Sequence, residues 1–294
     1  MFLKNKGWAL VLSGGGAKGL AHVGVLKCLD EHGLKPDMIA GTSVGAIMGS
    51  MYCCGMSGLE IENFVVNDFD YKECFELASY QFLGTKLLKL LQFGEGLRNL
   101  IYRSGVDSGN KIHNKIFEMT EGKKFGEEEI PFYCNSIDIL RHRQIVHDSG
   151  VIADAVRASI SVPGLFAPFK TDDAILIDGG VFENMPVFIP RTKGIKKVVA
   201  VNLNDSSSKE TAKFETGADV VIESLFVASK IKKREKIDEP DVEIIATDSR
   251  PYDDFSNPEK LIALGYEKTK EKLEEIELLN LPFFKKLFRK RNKT

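Results

Sequence analysis

The sequence predicts an α/β fold of three layers, with helices on both faces of a mostly parallel central sheet. Trp8–Leu12 has the continuous apolar character of a buried strand. Leu20–His32 then has apolar residues at helical spacing, and Gly33 ends that helix. A short strand at Met38–Ala40 leads into a second helix at Val44–Met56. Strands and helices that alternate in this way predict parallel strands joined by right-handed crossovers.

Composition and charge narrow the class of protein. The chain has 294 residues, enough for one large domain with a sizeable core. Hydrophobic residues at 43% and charged residues at 28% exclude a disordered polymer. The net charge of −2 gives no reason to expect a nucleic-acid partner. Residues 281–294 carry six basic and no acidic side chains, so the remaining residues have 34 basic against 42 acidic groups.

Features of targeting and redox state predict a cytoplasmic protein. No run of 18 uninterrupted apolar residues occurs, so a transmembrane helix is not expected. The first twelve residues contain Lys4 and Lys6 and then only a short apolar run, which is not typical of a signal peptide. The five cysteines form no CxxC pair, which indicates reduced thiols rather than disulfides or a zinc site.

The rest of the chain continues the α/β pattern after an interruption. Residues 67–129 are rich in leucine and aromatic side chains and show no strand alternation, which predicts a helical insertion that either packs on the sheet or covers the site as a lid. Further strands are predicted at Pro131–Asp138, Arg143–Asp148, Ala174–Ile177, Lys197–Asn202 and Val242–Ile245. Further helices are predicted at Gly217–Lys236 and Pro258–Glu277.

A glycine-rich loop separates the first strand from the first helix. Glycine allows positive φ and close approach of a ligand, and the start of the following helix favours negative charge, so the loop suits a phosphate or an oxyanion. It also satisfies the dinucleotide fingerprint G-x-G-x-x-G. That hypothesis requires an acidic residue at the end of the second strand, whereas Asp37 precedes this strand. The loop consists of Gly14, Gly15, Gly16, Ala17, Lys18 and Gly19.

A G-x-S-x-G motif joins the second strand to the second helix. In this context the motif forms a nucleophile elbow, because the flanking glycines let the chain turn sharply and expose the serine hydroxyl. The helix that follows directs its positive end toward a reacting carbonyl. A packing turn of small residues is the alternative. The motif consists of Gly41, Thr42, Ser43, Val44 and Gly45.

A serine nucleophile needs a base, and the histidines do not offer one in the expected order. An α/β-hydrolase has its histidine late in the chain, after the acidic residue. Here no histidine follows residue 147. Either Ser43 is not a nucleophile or its base is a carboxylate. The histidines are His22, His32, His113, His142 and His147.

Asp178 is the candidate carboxylate. It ends an apolar strand, which in a parallel sheet is the edge where Ser43 lies, and Gly179 and Gly180 let the backbone turn away. A half-buried carboxylate there has a raised pKa and can accept the serine proton. An ordinary Asp-Gly β-turn is the alternative.

These motifs, taken together and in order, resemble those of the patatin-like phospholipase family. The resemblance covers about residues 8–202 and rests on the glycine loop, the serine motif and the aspartate motif. Residues 158–168 also look like the family segment A-S-x-x-x-P-x-x-F-x-P, and Asn184 and Pro186 match positions that follow the aspartate. Lys18 stands where the family often has arginine; it keeps the charge but not the bidentate fork.

The resemblance implies a patatin-like fold and a Ser-Asp dyad that cleaves acyl esters of (phospho)lipids without a metal or cofactor. Ser43 is then the nucleophile, Asp178 the base, and the N–H groups of Gly15 and Gly16 the oxyanion hole. A general carboxylesterase or lysophospholipase, a catalytically idle membrane-associated adaptor of the same fold, and a dinucleotide-binding protein are the alternatives.

The predicted organisation is an acyl hydrolase domain over residues 1–280 and a basic amphipathic C-terminal tail over residues 281–294. In the tail, apolar and basic side chains fall on opposite helical faces, which suits peripheral contact with an anionic membrane. A frayed, solvated terminus is the alternative. The residues concerned are Phe283, Phe284, Lys285, Lys286, Leu287, Phe288, Arg289 and Lys290.

Overall fold

The computed structural model of the chain describes residues 7–69, 107–204, 239–252 and 254–280, together with the isolated positions 224, 227 and 237. The tail at 281–294 and, apart from positions 224 and 227, the predicted helix at 217–236 lie outside the described residues. So do residues 70–106 of the predicted insertion.

Strands and helices alternate through the described part of the chain. The strands are β1 (Ala9–Leu12), β2 (Met38–Gly41), β3 (Phe132–Asp138), β4 (Arg143–His147), β5 (Phe169–Lys170), β6 (Ile175–Asp178), β7 (Val198–Asn202) and β8 (Val242–Ile245). The helices are α1 (Leu20–Glu31), α2 (Val44–Cys53), α3 (Gly58–Asn63), α4 (Asn110–Met119), α5 (Ile152–Ser159), α6 (Phe188–Thr192), α7 (Pro258–Lys270) and α8 (Leu273–Asn280).

The predicted strands are confirmed with shifts of at most one residue at their ends. Two predicted helices are corrected: α2 ends at Cys53 rather than Met56, and the helix predicted over Pro258–Glu277 is two helices, α7 and α8. The short strand β5 and the helices α3, α5 and α6 were not predicted. The described part of the insertion contains α4, and within the described ranges no helix is both long and apolar enough to span a bilayer.

The sheet is parallel through its centre and antiparallel at one side. β1 pairs in parallel with β2 and with β7, β2 pairs in parallel with β3, and β7 pairs in parallel with β8. β4 and β6 both run antiparallel to β3, and β5 runs antiparallel to β6. The prediction of a mostly parallel sheet is therefore confirmed, but β6, which ends at Asp178, is one of the antiparallel strands.

β3 has three partners for its two edges, so two of them must share an edge. β4 pairs along Cys134–Asp138 and occupies one whole edge. β2 pairs only up to Cys134, and β6 begins to pair at Ser136, so these two strands lie end to end on the other edge. Because β2 runs parallel to β3 and β6 runs antiparallel, their carboxyl ends point at each other. Residue 135 of β3 faces the junction.

Both faces of the sheet are covered, as expected for parallel strands. On one face Leu10 and Leu12 of β1 join a large apolar core with α1, α2, α5 and α7. On the other face Val11 packs with a smaller cluster that includes Val187 and Ile189 around α6. Alternate residues of one short strand thus serve two different layers, which fixes its register. The three-layer prediction is confirmed, with unequal layers.

Candidate active site

The G-x-S-x-G motif turns sharply between β2 and α2. Ser43 has φ 53° and ψ −123°, a conformation that L-residues rarely adopt and that costs about 1–3 kcal/mol. The chain also passes very close to its neighbours here, since a Cβ on Gly41 would collide with the Gly45 carbonyl and one on Gly45 with the Leu12 carbonyl. The half-buried Ser43 is therefore held on a strained turn that only small neighbours permit.

Asp178 lies beside this turn because β2 and β6 meet end to end. The sequence prediction placed Asp178 at the correct edge for the wrong reason, since β6 is antiparallel to its neighbour. Gly41 is the register partner of Cys134, and Asp178 is the register partner of Ser136, only two residues further along β3. The residues that follow β2 therefore arrive at the level of Asp178.

The Asp178 carboxyl is buried and short of partners. Oδ1 accepts a 2.6 Å hydrogen bond from the Gly180 N–H. The Ser43 hydroxyl faces the Asp178 carboxyl, and this contact lowers the pKa of Asp178. Within the described ranges Oδ2 has no hydrogen bond of normal geometry. Burial is the largest effect and raises the pKa of Asp178 to about 7. A carboxyl in this state can take up and release a proton near neutral pH.

Asn135 fills the junction between the two strand ends. It is fully buried, and its Oδ1 accepts a 2.7 Å hydrogen bond from the Thr42 hydroxyl. Its Nδ2 donates to the Glu183 carbonyl at 2.9 Å, and the side chain packs against Gly179, where there is no room for a Cβ. One amide side chain thus connects the serine turn with the turn after Asp178.

The glycine loop packs directly on Ser43. A Cβ on Gly14 would lie 3.2 Å from the Ser43 Cβ and would collide with Asn184. The side-chain amides of Asn184 and Asn204 both donate to the Gly14 carbonyl, at 3.0 and 2.8 Å. The orientation of this carbonyl is therefore fixed by two side chains from distant parts of the chain.

The N–H groups of Gly15 and Gly16 make no hydrogen bond to the described residues. Gly16 has φ 57° and opens a 3₁₀ turn that runs to Gly19, where an orphan donor is expected. The next N–H, that of Ala17, is already bound to the Tyr252 carbonyl at 2.7 Å. Two adjacent donors are thus available for an anion.

The other predicted loop residues have different neighbours. Lys18 lies in the 3₁₀ turn. Gly19 faces Val44, whose side chain leaves no room for a Cβ, so this glycine serves the packing of the loop against α2. Asp37 is the acidic residue nearest the dinucleotide pattern. It accepts a hydrogen bond from the Trp8 N–H at the amino-terminal ends of the strands, whereas the glycine loop lies at their carboxyl ends. The loop therefore lacks the acidic partner of a ribose.

All five histidines are described, and none of them has a hydrogen bond to Ser43. Buried His22 donates from Nε2 to the Ser13 carbonyl at 2.8 Å, and burial lowers its pKa to about 4. His147 shares a hydrogen bond with Ser136, and burial lowers its pKa to about 4. His113 contacts Asp154, His32 contacts the Cys28 carbonyl, and His142 lies in the β3–β4 turn.

Sequence reasoning missed several residues that build this site. Asn135, Ser159 and Asn204 are remote from the motifs along the chain, and single polar residues carry no pattern. Ser159 was quoted only as part of a family-like segment, without a role. The amide of Asn135 within a predicted strand was a usable signal, because a buried amide must find partners.

The comparison with protein families identifies the class. Residues 10–190 match the family model described as patatin-like phospholipase. This is more than half of the chain, and it contains the glycine loop, the serine motif and the aspartate motif. The chain belongs to the patatin-like phospholipase family, a family of lipid acyl hydrolases.

Curated relatives are similar over two thirds of the chain. It is 31% identical over 194 residues to lysophospholipase NTE1 of Mycosarcoma maydis, with 66% of this chain and 9% of the relative covered. It is 34% identical over 200 residues to lysophospholipase nte1 of Emericella nidulans, with 66% and 12% covered. The chain thus spans only about a tenth of the length of these relatives.

A solved structure shares the fold. VipD from Legionella pneumophila superimposes with a TM-score of 0.55 at 18% sequence identity, covering 92% of this chain and 67% of VipD. At this identity the similarity establishes the architecture alone.

Replacement of Asp178 by Asn is expected to stabilise the folded protein at alkaline pH. The folded-state pKa of about 7 lies above the ordinary 3.8, so ionisation of the buried group costs stability as the pH rises through this window. Asn keeps an acceptor for Gly180 and has no charge. We expect Asp178→Asn to raise Tm by about 3–10 °C at pH 8, with a smaller gain at about pH 5. A gain that is equal at both pH values would contradict this account; thermal unfolding by circular dichroism measures it.

Proposed function

We propose that this chain hydrolyses carboxylic ester bonds of (phospho)lipids through a Ser43–Asp178 dyad and an oxyanion hole in the glycine loop. The observation that carries the proposal is the contact between two residues. Ser43 has a strained backbone, and its hydroxyl faces the buried Asp178 carboxyl, whose pKa is about 7. Within the described part of the chain no histidine is hydrogen-bonded to Ser43, which leaves this carboxyl as the candidate base. Family membership supports the same reaction class.

In the acylation step the Ser43 Oγ attacks the ester carbonyl carbon and gives its proton to the Asp178 carboxylate. The unpaired Oδ2 is the atom proposed to receive it. The carbonyl oxygen becomes an oxyanion, which accepts hydrogen bonds from the Gly15 and Gly16 N–H groups. When the tetrahedral intermediate collapses, the ester C–O bond breaks, the leaving alcohol takes the proton from Asp178, and an acyl-serine remains.

In the deacylation step a water molecule replaces the alcohol. Asp178 accepts one water proton while the water oxygen attacks the acyl carbon, and the same two N–H groups hold the second oxyanion. Collapse breaks the bond to Ser43 Oγ, the proton returns to that oxygen, and the fatty acid leaves. Each donor in such a hole is worth about 10²–10³ in kcat.

Lysophospholipids are the first substrates to test. The two relatives described above carry the name lysophospholipase. A one-chain lipid also resembles the soluble acyl esters that a general carboxylesterase accepts, so the two alternatives are separated by comparing lysophosphatidylcholine with a p-nitrophenyl ester of the same acyl length.

Loss of the nucleophile is expected to abolish hydrolysis. Ser43→Ala removes the attacking oxygen, and we expect kcat to fall at least about 10³-fold on a p-nitrophenyl ester, with the fold retained by circular dichroism. A fluorophosphonate probe should label the wild type at Ser43 and leave the variant unlabelled. Undiminished turnover by Ser43→Ala would refute the mechanism, and a wild type without turnover or label would support the idle adaptor.

The pH dependence follows from the base. Only the ionised Asp178 can accept the serine proton, so kcat/KM for a soluble ester should rise about tenfold per pH unit below about pH 7 and level off above it. Initial rates between about pH 5 and 9, with product read after quenching at one fixed alkaline pH, measure the profile. A flat profile over this range would exclude Asp178 as the titrating base.

The segment 281–294 is proposed to bring the site to anionic lipid. Its support is the sequence alone, six basic side chains with apolar residues between them. Deletion of residues 281–294 is expected to reduce binding to anionic liposomes at least about tenfold and to leave turnover of a soluble ester within about twofold. Neutral liposomes are the control. Equal loss of binding and turnover would indicate a structural role instead.

A further inference from the structure

We propose that Ser159 is a positioning residue, whose hydroxyl holds the strained Ser43 backbone in the orientation that presents its side chain to Asp178. This inference rests on the proposed function, because it assigns a role in the same reaction. It concerns the turn that ends α5, defined here as Ser159–Ser161, which the sequence linked to the family without giving it a task.

The turn contacts the nucleophile directly. The Ser159 hydroxyl accepts a 3.0 Å hydrogen bond from the Ser43 N–H across 116 positions of the chain. Ser43 is the N-cap residue of α2, so its N–H has no acceptor within the helix. Ser159 is fully buried, and a buried donor left without an acceptor is destabilising. The contact therefore fixes the peptide plane that leads into the strained residue.

The same turn contacts the proposed base. The Ser161 carbonyl accepts a 2.9 Å hydrogen bond from the Asp178 N–H. Ser43 and Asp178 are thus attached, through their backbone N–H groups, to two positions that are only two residues apart. The turn acts as a spacer, so a shift on the serine side changes the distance from the serine hydroxyl to the carboxyl.

Arg157 keeps the turn rigid. Its buried guanidinium donates to the Ser161 hydroxyl at 2.6 Å, and to the carbonyls of Gly109, Ser108 and Ala167 at 3.1, 2.7 and 2.8 Å. Four hydrogen bonds from one side chain tie the end of α5 to two other segments. Because the spacer cannot drift as a unit, the Ser159 hydroxyl is a fixed reference point for Ser43.

The test removes only the acceptor. Ser159→Ala is expected to lower kcat on a soluble p-nitrophenyl ester at least about tenfold, because a nucleophile misplaced by a fraction of an ångström loses its alignment. KM should stay within about twofold, since the substrate contacts are unchanged. The rate of fluorophosphonate labelling of Ser43 should fall in parallel. The midpoint of the pH profile should stay at about 7, since Asp178 is held by a backbone carbonyl that the variant keeps.

Ser50→Ala is the matched control. Ser50 is an equally buried serine on α2, and its hydroxyl bonds only locally, to the Ile47 carbonyl at 2.9 Å. The Ser50→Ala variant should lower the free energy of unfolding slightly and leave kcat unchanged. Ser159→Cys has a side chain of similar size whose sulfur is a weak acceptor. Its kcat should lie between that of Ser159→Ala and that of the wild type. It also replaces Ser159→Ala if that variant does not fold.

The outcomes are distinct. Unchanged kcat in a folded Ser159→Ala, or in Ser159→Cys if only that variant folds, would overturn the inference. So would an equal loss in Ser50→Ala, or a loss explained by the unfolded fraction at the assay temperature. If the wild type itself neither hydrolyses esters nor takes the label, the proposed function fails instead, and the two failures are not confused.

Discussion

The geometry of this site depends on one constraint in the sheet: β2 and β6 share a single edge of β3 and end against each other. A strand offers only two edges for hydrogen bonding, and β4 fills the other edge of β3. The two remaining strands are therefore stopped at adjacent positions, Cys134 and Ser136. Asp178, the last residue of β6, and Ser43, two residues beyond the end of β2, therefore lie close together.

The groups at this junction are stabilised from outside the motifs that carry them. A strained serine and a carboxyl out of reach of water both oppose folding, so the surrounding structure must compensate. Asn135 fills the gap between the strand ends, and Ser159 satisfies the backbone of the serine turn. Asn184 and Asn204 fix the Gly14 carbonyl of the glycine loop. The residues that destabilise the fold and the residues that stabilise them lie on different segments of the chain. The geometry of the site therefore depends on the stability of the whole sheet.

The sequence predicted most of the elements because local patterns encode them. Apolar runs marked the strands, and apolar residues at helical spacing marked α1. The ends were less reliable, since the end of α2 at Cys53 and the break between α7 and α8 depend on backbone geometry rather than on apolar spacing. The antiparallel direction of β6 was also missed. The apolar pattern of a four-residue strand does not indicate whether the strand runs parallel or antiparallel to its neighbour.

By itself the sequence provided the candidate residues: a serine between glycines, an aspartate before two glycines, and a glycine loop to which the family resemblance assigns an oxyanion hole. It also determined that no histidine stands in the expected place, since that depends only on order along the chain. The tertiary structure alone decided that the carboxyl reaches the serine, and that burial raises its pKa to about 7. The reason is physical: distance and desolvation depend on segments far apart in the chain, and short motifs contain no information about either.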